Sequence, residues 1–138
     1  MNDCLFFGQN DDPILFKNER KIITKPIQFK FENENENENE NEIKQISSGI
    51  FSTIFLFENG KAIEYLKDSK QNPSKIQIEE NIQKVTVGYQ NEAILTKEGN
   101  VFAKGEDIYP ENPNEFINIS SLIEDTNDRI IRRYCFWS

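Results

Sequence analysis

Ile43-Lys44-Gln45-Ile46-Ser47-Ser48-Gly49 recurs 39 residues later as Ile82-Gln83-Lys84-Val85-Thr86-Val87-Gly88. Recurrence at a period of about 20–50 residues marks a chain built from stacked copies of one unit. The alignment continues without a gap. Ile54-Phe55-Leu56 falls on Ala93-Ile94-Leu95, Gly60 on Gly99, and Ala62-Ile63 on Val101-Phe102. After one extra residue, Asn72-Pro73 aligns with Asn112-Pro113 and Ile76 with Phe116.

Each unit reads as β-structure. Thr53-Ile54-Phe55-Leu56-Phe57 is followed by Glu58-Asn59-Gly60 and then Lys61-Ala62-Ile63-Glu64-Tyr65. An Asn-Gly step between two apolar runs is a hairpin signal. The second copy has Ala93-Ile94-Leu95-Thr96, the turn Lys97-Glu98-Gly99-Asn100, and Val101-Phe102-Ala103. An unbroken apolar run such as Ile54 to Phe57 fits a strand covered on both faces. Sheets packed between two neighbours in a β-propeller meet that condition, and the repeat period favours blades over a sandwich.

An earlier, partial copy precedes these two. Cys4-Leu5-Phe6-Phe7-Gly8-Gln9-Asn10 resembles Val101 to Asp107, and Lys25-Pro26-Ile27-Gln28-Phe29 resembles the segments around Pro73 and Pro113. The six glycines of the chain all fall into pairs under this alignment: Gly49 with Gly88, Gly60 with Gly99, and Gly8 with Gly105. Such pairs mark backbone positions where a Cβ is unwelcome, through a positive φ or a close approach. The expected organisation is therefore a partial first blade over 1–31, an insertion over 32–42, blades over 43–81 and 82–118, and an atypical segment over 119–138. The insertion alternates Glu and Asn from Glu32 to Glu42. With nothing apolar to bury, it reads as a disordered, solvated loop. It lacks the Asp spacing and central Gly of an EF-hand.

The units resemble the regulator of chromosome condensation repeat. That repeat runs from an apolar-small-small-Gly step through a His, a Leu-Thr pair and a Gly turn to a Val-Tyr-x-Trp-Gly strand. The first full copy offers Ile46-Ser47-Ser48-Gly49, Ser52-Thr53, Leu56 and Gly60. The second offers Val85-Thr86-Val87-Gly88, Leu95-Thr96, Gly99, Val101-Phe102 and Gly105. Leu5-Phe6-Phe7-Gly8 looks like the strand that opens such proteins. The copies are degenerate. Ser52 and Asn91 stand at the family His, Phe7, Tyr65 or Lys104 at the Trp, and Leu66 at one closing Gly. No Gly-His or Trp-Asp pair of the tryptophan-aspartate propellers occurs, and no kelch signature.

The resemblance implies an all-β fold of antiparallel propeller blades in an incomplete ring. It implies a binding or scaffold module that presents loops to a protein partner. For the founding member of the family it also implies guanine nucleotide exchange on a small GTPase. Two or three blades cannot close a seven-bladed ring, so an apolar blade face would lie open. The expectation is a fragment, a truncated product, a degenerate descendant or a chain completed by self-association; a fragment with no autonomous function would leave Ile54 to Phe57 as an exposed edge strand.

Composition narrows the function further. Net charge is -8 and the pI about 4.7. An acidic surface repels phosphate backbones, so nucleic acid is not an expected partner. The basic stretches Lys17 to Lys25 and Arg129, Arg132 and Arg133 read as solvated surface. Cys4 and Cys135 are too few and too far apart for a disulfide framework or a zinc site. They read as free thiols in a reducing compartment, cytoplasm or nucleus. Asn118-Ile119-Ser120 is then a chance sequon. No apolar stretch reaches the ~20 residues of a membrane span, and the N-terminus carries no secretory signal.

Without histidine the chain has no Ser-His-Asp or Cys-His arrangement. It has no glycine-rich phosphate loop. Glu79-Glu80 and Glu124-Asp125 read as surface charge. The chain is expected to be no enzyme and to need no cofactor or metal. If the glycine pairing reflects a shared backbone constraint, Gly88→Val lowers the urea unfolding midpoint far more than Glu36→Ala. Equal midpoints would remove the constraint.

Overall fold

β-Branched and aromatic residues in short runs, separated by Gly- and Asn-containing turns, fold here into ten strands and one short helix among the described residues. In this computed structural model those residues are 4–10, 21–29, 42–67, 69–71 and 73–124. The first two strands, β1 (Cys4–Asn10) and β2 (Lys21–Phe29), pair antiparallel. Their register shifts between Phe6 and Gly8. Pro26 lies opposite that break, where its missing N–H costs no ladder bond. The Glu/Asn insertion, apart from Glu42, lies outside the described residues.

Two four-stranded antiparallel sheets follow. The first holds β3 (Ile43–Ser48), β4 (Ser52–Phe57), β5 (Ala62–Leu66) and β6 (Ser74–Lys75) in that order. The second repeats the order with β7 (Ile82–Val87), β8 (Asn91–Thr96), β9 (Val101–Gly105) and β10 (Ile117–Asn118), and the helix α1 (Ser120–Glu124) comes after it. This meander is a propeller blade, twice over.

The copies agree in detail. The β3–β4 register skips Lys44, and the β7–β8 register skips Gln83, its counterpart in the repeat. A bulge held at the same position in both sheets is a built feature. Both β-turns close alike. Gly60 N–H donates to the Phe57 carbonyl at 3.0 Å, and Gly99 N–H to the Thr96 carbonyl at 3.1 Å. The φ angles of Gly60 and Gly99 are +78° and +88°, a region that L-residues with a Cβ rarely enter.

The alignment by sequence fails at the fourth strand. β6 places Lys75 opposite Ile63, while β10 places Asn118 opposite Phe102, an offset of 43 rather than 40. Ile76 N–H donates to the Ala62 carbonyl as Ile119 N–H donates to that of Val101. The structural match of Ile76 is thus Ile119, not Phe116. The connection after β9 is longer than the one after β5, and the Asn-Pro pairs lie within these unequal loops. A shared dipeptide in a loop does not fix strand register.

The core lies between the sheets. Ile54, Leu56, Ala62 and Ile78 of the first blade meet Ile82, Val85 and Ile94 of the second. Burying each of these larger aliphatic side chains contributes about 1.5–3 kcal/mol. β4 alternates no longer, because its two faces are both covered: Ile54 to Phe57 are all at most 4% exposed. β4 is also an inner strand between β3 and β5, which corrects its reading as an exposed edge. The far face of the second blade carries Ala93, Val101 and Ala103, buried with Ile119 and packed by Leu95, Ile108 and Ile117. Ile108, Ile117 and Ile119, from the chain after β9, pack on that face, so the large open apolar face expected from sequence does not occur there.

Side chains bridge the first strands of the two blades. The Gln45 side-chain amide donates to the Val85 carbonyl at 2.7 Å and accepts from Val85 N–H at 3.0 Å. Ser47 Oγ accepts from Val87 N–H at 2.9 Å. Gln45→Ala leaves both main-chain groups of the buried Val85 unpaired, and unfolding free energy falls by about 2–4 kcal/mol in urea titration. Lys44→Ala, at the exposed bulge residue beside it, stays within about 0.5 kcal/mol of the parent.

Candidate functional site

Four connections, those that follow β3, β5, β7 and β9, gather at one end of the blades. They surround an open cleft of about 350 Å³ between the two sheets. Strand alternation decides what faces it. Ser52 precedes Ile54 on the inward face of β4, and Glu64 follows Ala62 on that of β5. Glu92 precedes Ile94 on β8, and Lys104 follows Phe102 on β9. The apolar member of each pair belongs to the inter-blade core or packs on it. The polar members continue the same faces toward the cleft.

These four side chains form one buried charged group. Lys104 Nζ donates to Glu64 Oε1 and lies 3.2 Å from Glu92 Oε2. Ser52 Oγ donates to Glu92 Oε1. Lys104 also sits 4.9 Å above the Phe116 ring. Ser52, Glu64, Glu92 and Lys104 are all at most 6% exposed. Glu92 Oε2 is fully enclosed and accepts no hydrogen bond. Burial, then the neighbouring Glu64 carboxyl, raises the Glu92 pKa from 4.5 to about 7, against the opposing pull of Lys104 and the Ser52 hydroxyl. Two carboxylates share one ammonium, so with both ionised the group carries a net negative charge.

The rim is apolar. Phe51 and Tyr89 stand edge to face with ring centroids 5.7 Å apart, although they are 43% and 64% exposed. Ile50, between Gly49 and Phe51, is 58% exposed. The tight seam below them follows from two glycines. A Cβ on Gly49 would collide with the Gly88 carbonyl oxygen and would reach Val87 Cγ1 at 2.8 Å.

The sequence candidates divide between the two ends. Gly88 and Gly105 line the cleft and Gly49 flanks it. Gly60 and Gly99 occupy the turns at the opposite end, and Gly8 belongs to β1. Ser52 and Asn91, at the positions of the family His, both line the cleft. Glu80 is no simple surface charge. It accepts from Thr96 Oγ1 at 2.6 Å and from Asn100 Nδ2 at 2.9 Å, holding the β8–β9 turn. Cys4 lies in β1. Cys135, Asp125 and Arg129 to Arg133 lie outside the described residues. Glu64, Glu92 and Lys104 escaped notice as a site. The available signal was a charged residue at an inward position of each strand.

Among the described residues no group of three His, Cys, Asp or Glu side chains is placed to hold a metal. No helix there is long and apolar enough to cross a membrane. The arrangement sets two exposed aromatic rings over a buried group of two carboxyls and one ammonium.

No family model matches the chain, and no curated protein sequence matches it. Solved structures do. The crystal structure of Kap60 bound to yeast RCC1 (Prp20) superposes with a TM-score of 0.51 at 15% identity, over 72% of this chain and 26% of that one. Human WBSCR16 superposes with a TM-score of 0.53 at 15% identity, over 71% and 27%. The chain spans about a quarter of the length of these proteins. The likeness establishes the fold, antiparallel blades of the RCC1-type β-propeller.

The raised Glu92 pKa has a measurable consequence. Between about pH 4.5 and 7 the folded chain holds a proton that the unfolded chain has released. The contribution of Glu92 to stability therefore falls as pH rises through that window. Glu92→Gln removes the titration and keeps the acceptor for Ser52. Urea unfolding should find it equal to the parent at pH 5 and on the order of 2–3 kcal/mol more stable at pH 8. A variant no more stable at pH 8 than at pH 5, relative to the parent, would show that Glu92 ionises freely.

Proposed function

We propose that this chain is a non-catalytic protein-interaction module, and that its partner docks on the cleft end of the two blades. The observation that carries this reading is the exposed pair Phe51 and Tyr89 lining the cleft from adjacent loops, with exposed Ile50 next to Phe51 in the chain. Large aromatic side chains left in water beside a concave surface are typical anchors of protein interfaces. The opposite end differs. Its turns, Glu58 to Lys61 and Lys97 to Asn100, carry polar residues and glycine. The solved counterparts support a protein partner only in kind: yeast RCC1 (Prp20) is crystallised with Kap60. Exchange on a small GTPase rests on the fold resemblance alone.

Site-directed photocross-linking tests the reading in source cells. A benzophenone amino acid at position 51 or 89 should give discrete adducts to another protein, and the same group at Glu98, on the opposite end, should give none. An adduct at twice the mass of the uncross-linked protein's own band would identify this end as a contact between copies of the chain. Equal labelling from all three positions would refute a docking end.

A further inference from the structure

We propose that the cleft beneath Phe51 and Tyr89 receives one cationic side chain of the partner, arginine in preference to lysine, which seats over the Glu92 side chain at the cleft floor. The inference rests on the interaction reading of this end and names the chemistry it recognises.

Three observations converge on a cation. The floor holds two carboxylates, Glu64 and Glu92, against the single ammonium of Lys104. One further positive charge makes the ionised group neutral. Oε1 of Glu92 is taken by Ser52 and Oε1 of Glu64 by Lys104, while Glu92 Oε2 has the Lys104 ammonium 3.2 Å away but accepts no hydrogen bond. The Glu92 side chain is 7% exposed, yet it lines the cleft. A buried carboxylate oxygen without a hydrogen bond is costly, and a charge-assisted donor is the group that best removes the cost.

The loop after β9 favours the same ligand. Glu106 lines the cleft, and Asp107, Glu111 and Glu115 are exposed on the same loop, which has no basic residue between Gly105 and Phe116. The rings of Phe51 and Tyr89 stand at the rim, where a planar guanidinium stacks better than an ammonium. The cleft has room for a side chain rather than a helix or strand.

The groups facing Glu92 are Ser52 on β4, Glu64 on β5 and Lys104 on β9, with Glu106 at the mouth. A seated cation favours the ionised form of Glu92 over its protonated form. Affinity therefore rises from pH 5.5 to pH 8, while Ser52 and Lys104 hold the carboxylate in place.

The test is an NMR titration of the full chain with acetyl-Gly-Arg-Gly-amide, its lysine counterpart and its uncharged citrulline counterpart. The arginine peptide should shift the amide signals of Phe51, Tyr89 and Glu92 to saturation, the lysine peptide more weakly, and the citrulline peptide not at all. Glu92→Gln, with a spectrum as dispersed as that of the parent, should lose about tenfold in affinity for the arginine peptide. Glu98→Gln should lose none. Equal binding of arginine and citrulline peptides, or undiminished binding by Glu92→Gln, overturns the proposal. Cross-links from positions 51 and 89 without arginine binding would also overturn it, and would leave the interaction end standing.

Discussion

The close approach of β3 to β7 sets the geometry of everything else. These strands belong to different sheets and cannot form a ladder, so side chains do the bridging. The Gln45 amide gives Val85 both an acceptor and a donor, as a neighbouring strand would. Gly49 beside the Gly88 carbonyl lets the strands meet without a Cβ between them. That spacing seats Ile54 and Leu56 against Val85 and Ile94. It also carries the loops at 49–51 and 88–90 to within ring contact, which is why Phe51 and Tyr89 share one rim.

Toward the cleft the inter-blade seam changes character. Its apolar part is the inexpensive solution, since well-packed aliphatic groups need no partners. The Ser52–Glu64–Glu92–Lys104 group is the opposite. Desolvating three charges is costly, and such groups rarely outperform an apolar packing of the same volume. Within the group, the unsatisfied Oε2 of Glu92 keeps the balance incomplete. Stability does not account for a group of this composition at this place. It sits at the floor of the cleft.

The blades were legible in the sequence because the repeat preserves what the backbone needs. Asn59-Gly60 and Gly99 mark turns whose φ is positive, and the Gly49–Gly88 pair marks a contact. Ile54 to Phe57 announce a strand covered on both sides. The fourth strands were misaligned because β6 and β10 have two residues each and no apolar signature. Their position depends on loop length, to which the Asn-Pro pairs gave a false register. The charged group was invisible for another reason. Glu and Lys are read as solvent-facing, and only the alternation with Ala62, Ile94 and Phe102 turns Glu64, Glu92 and Lys104 inward.

Comparison of the two copies separates fold from site. Positions where they agree serve the blade: paired glycines, the skipped residues Lys44 and Gln83, and the hairpin turns. Three positions where they disagree in chemistry lie together at one seam. Glu64 corresponds to Ala103, Glu92 to Thr53 and Lys104 to Tyr65 under the 39-residue offset. Tyr65 packs edge to face on Phe55, 5.6 Å between centroids, in the place where the second blade puts Lys104 beside Ile94. A repeat that only needed to stack would fill both seams alike. Here the seam between the described blades has exchanged aromatic and small residues for charge, directly under the loops that present Phe51 and Tyr89. In a degenerate repeat protein the departures from the repeat are therefore informative, since the constraint they escape is the fold's and the one they obey must come from elsewhere.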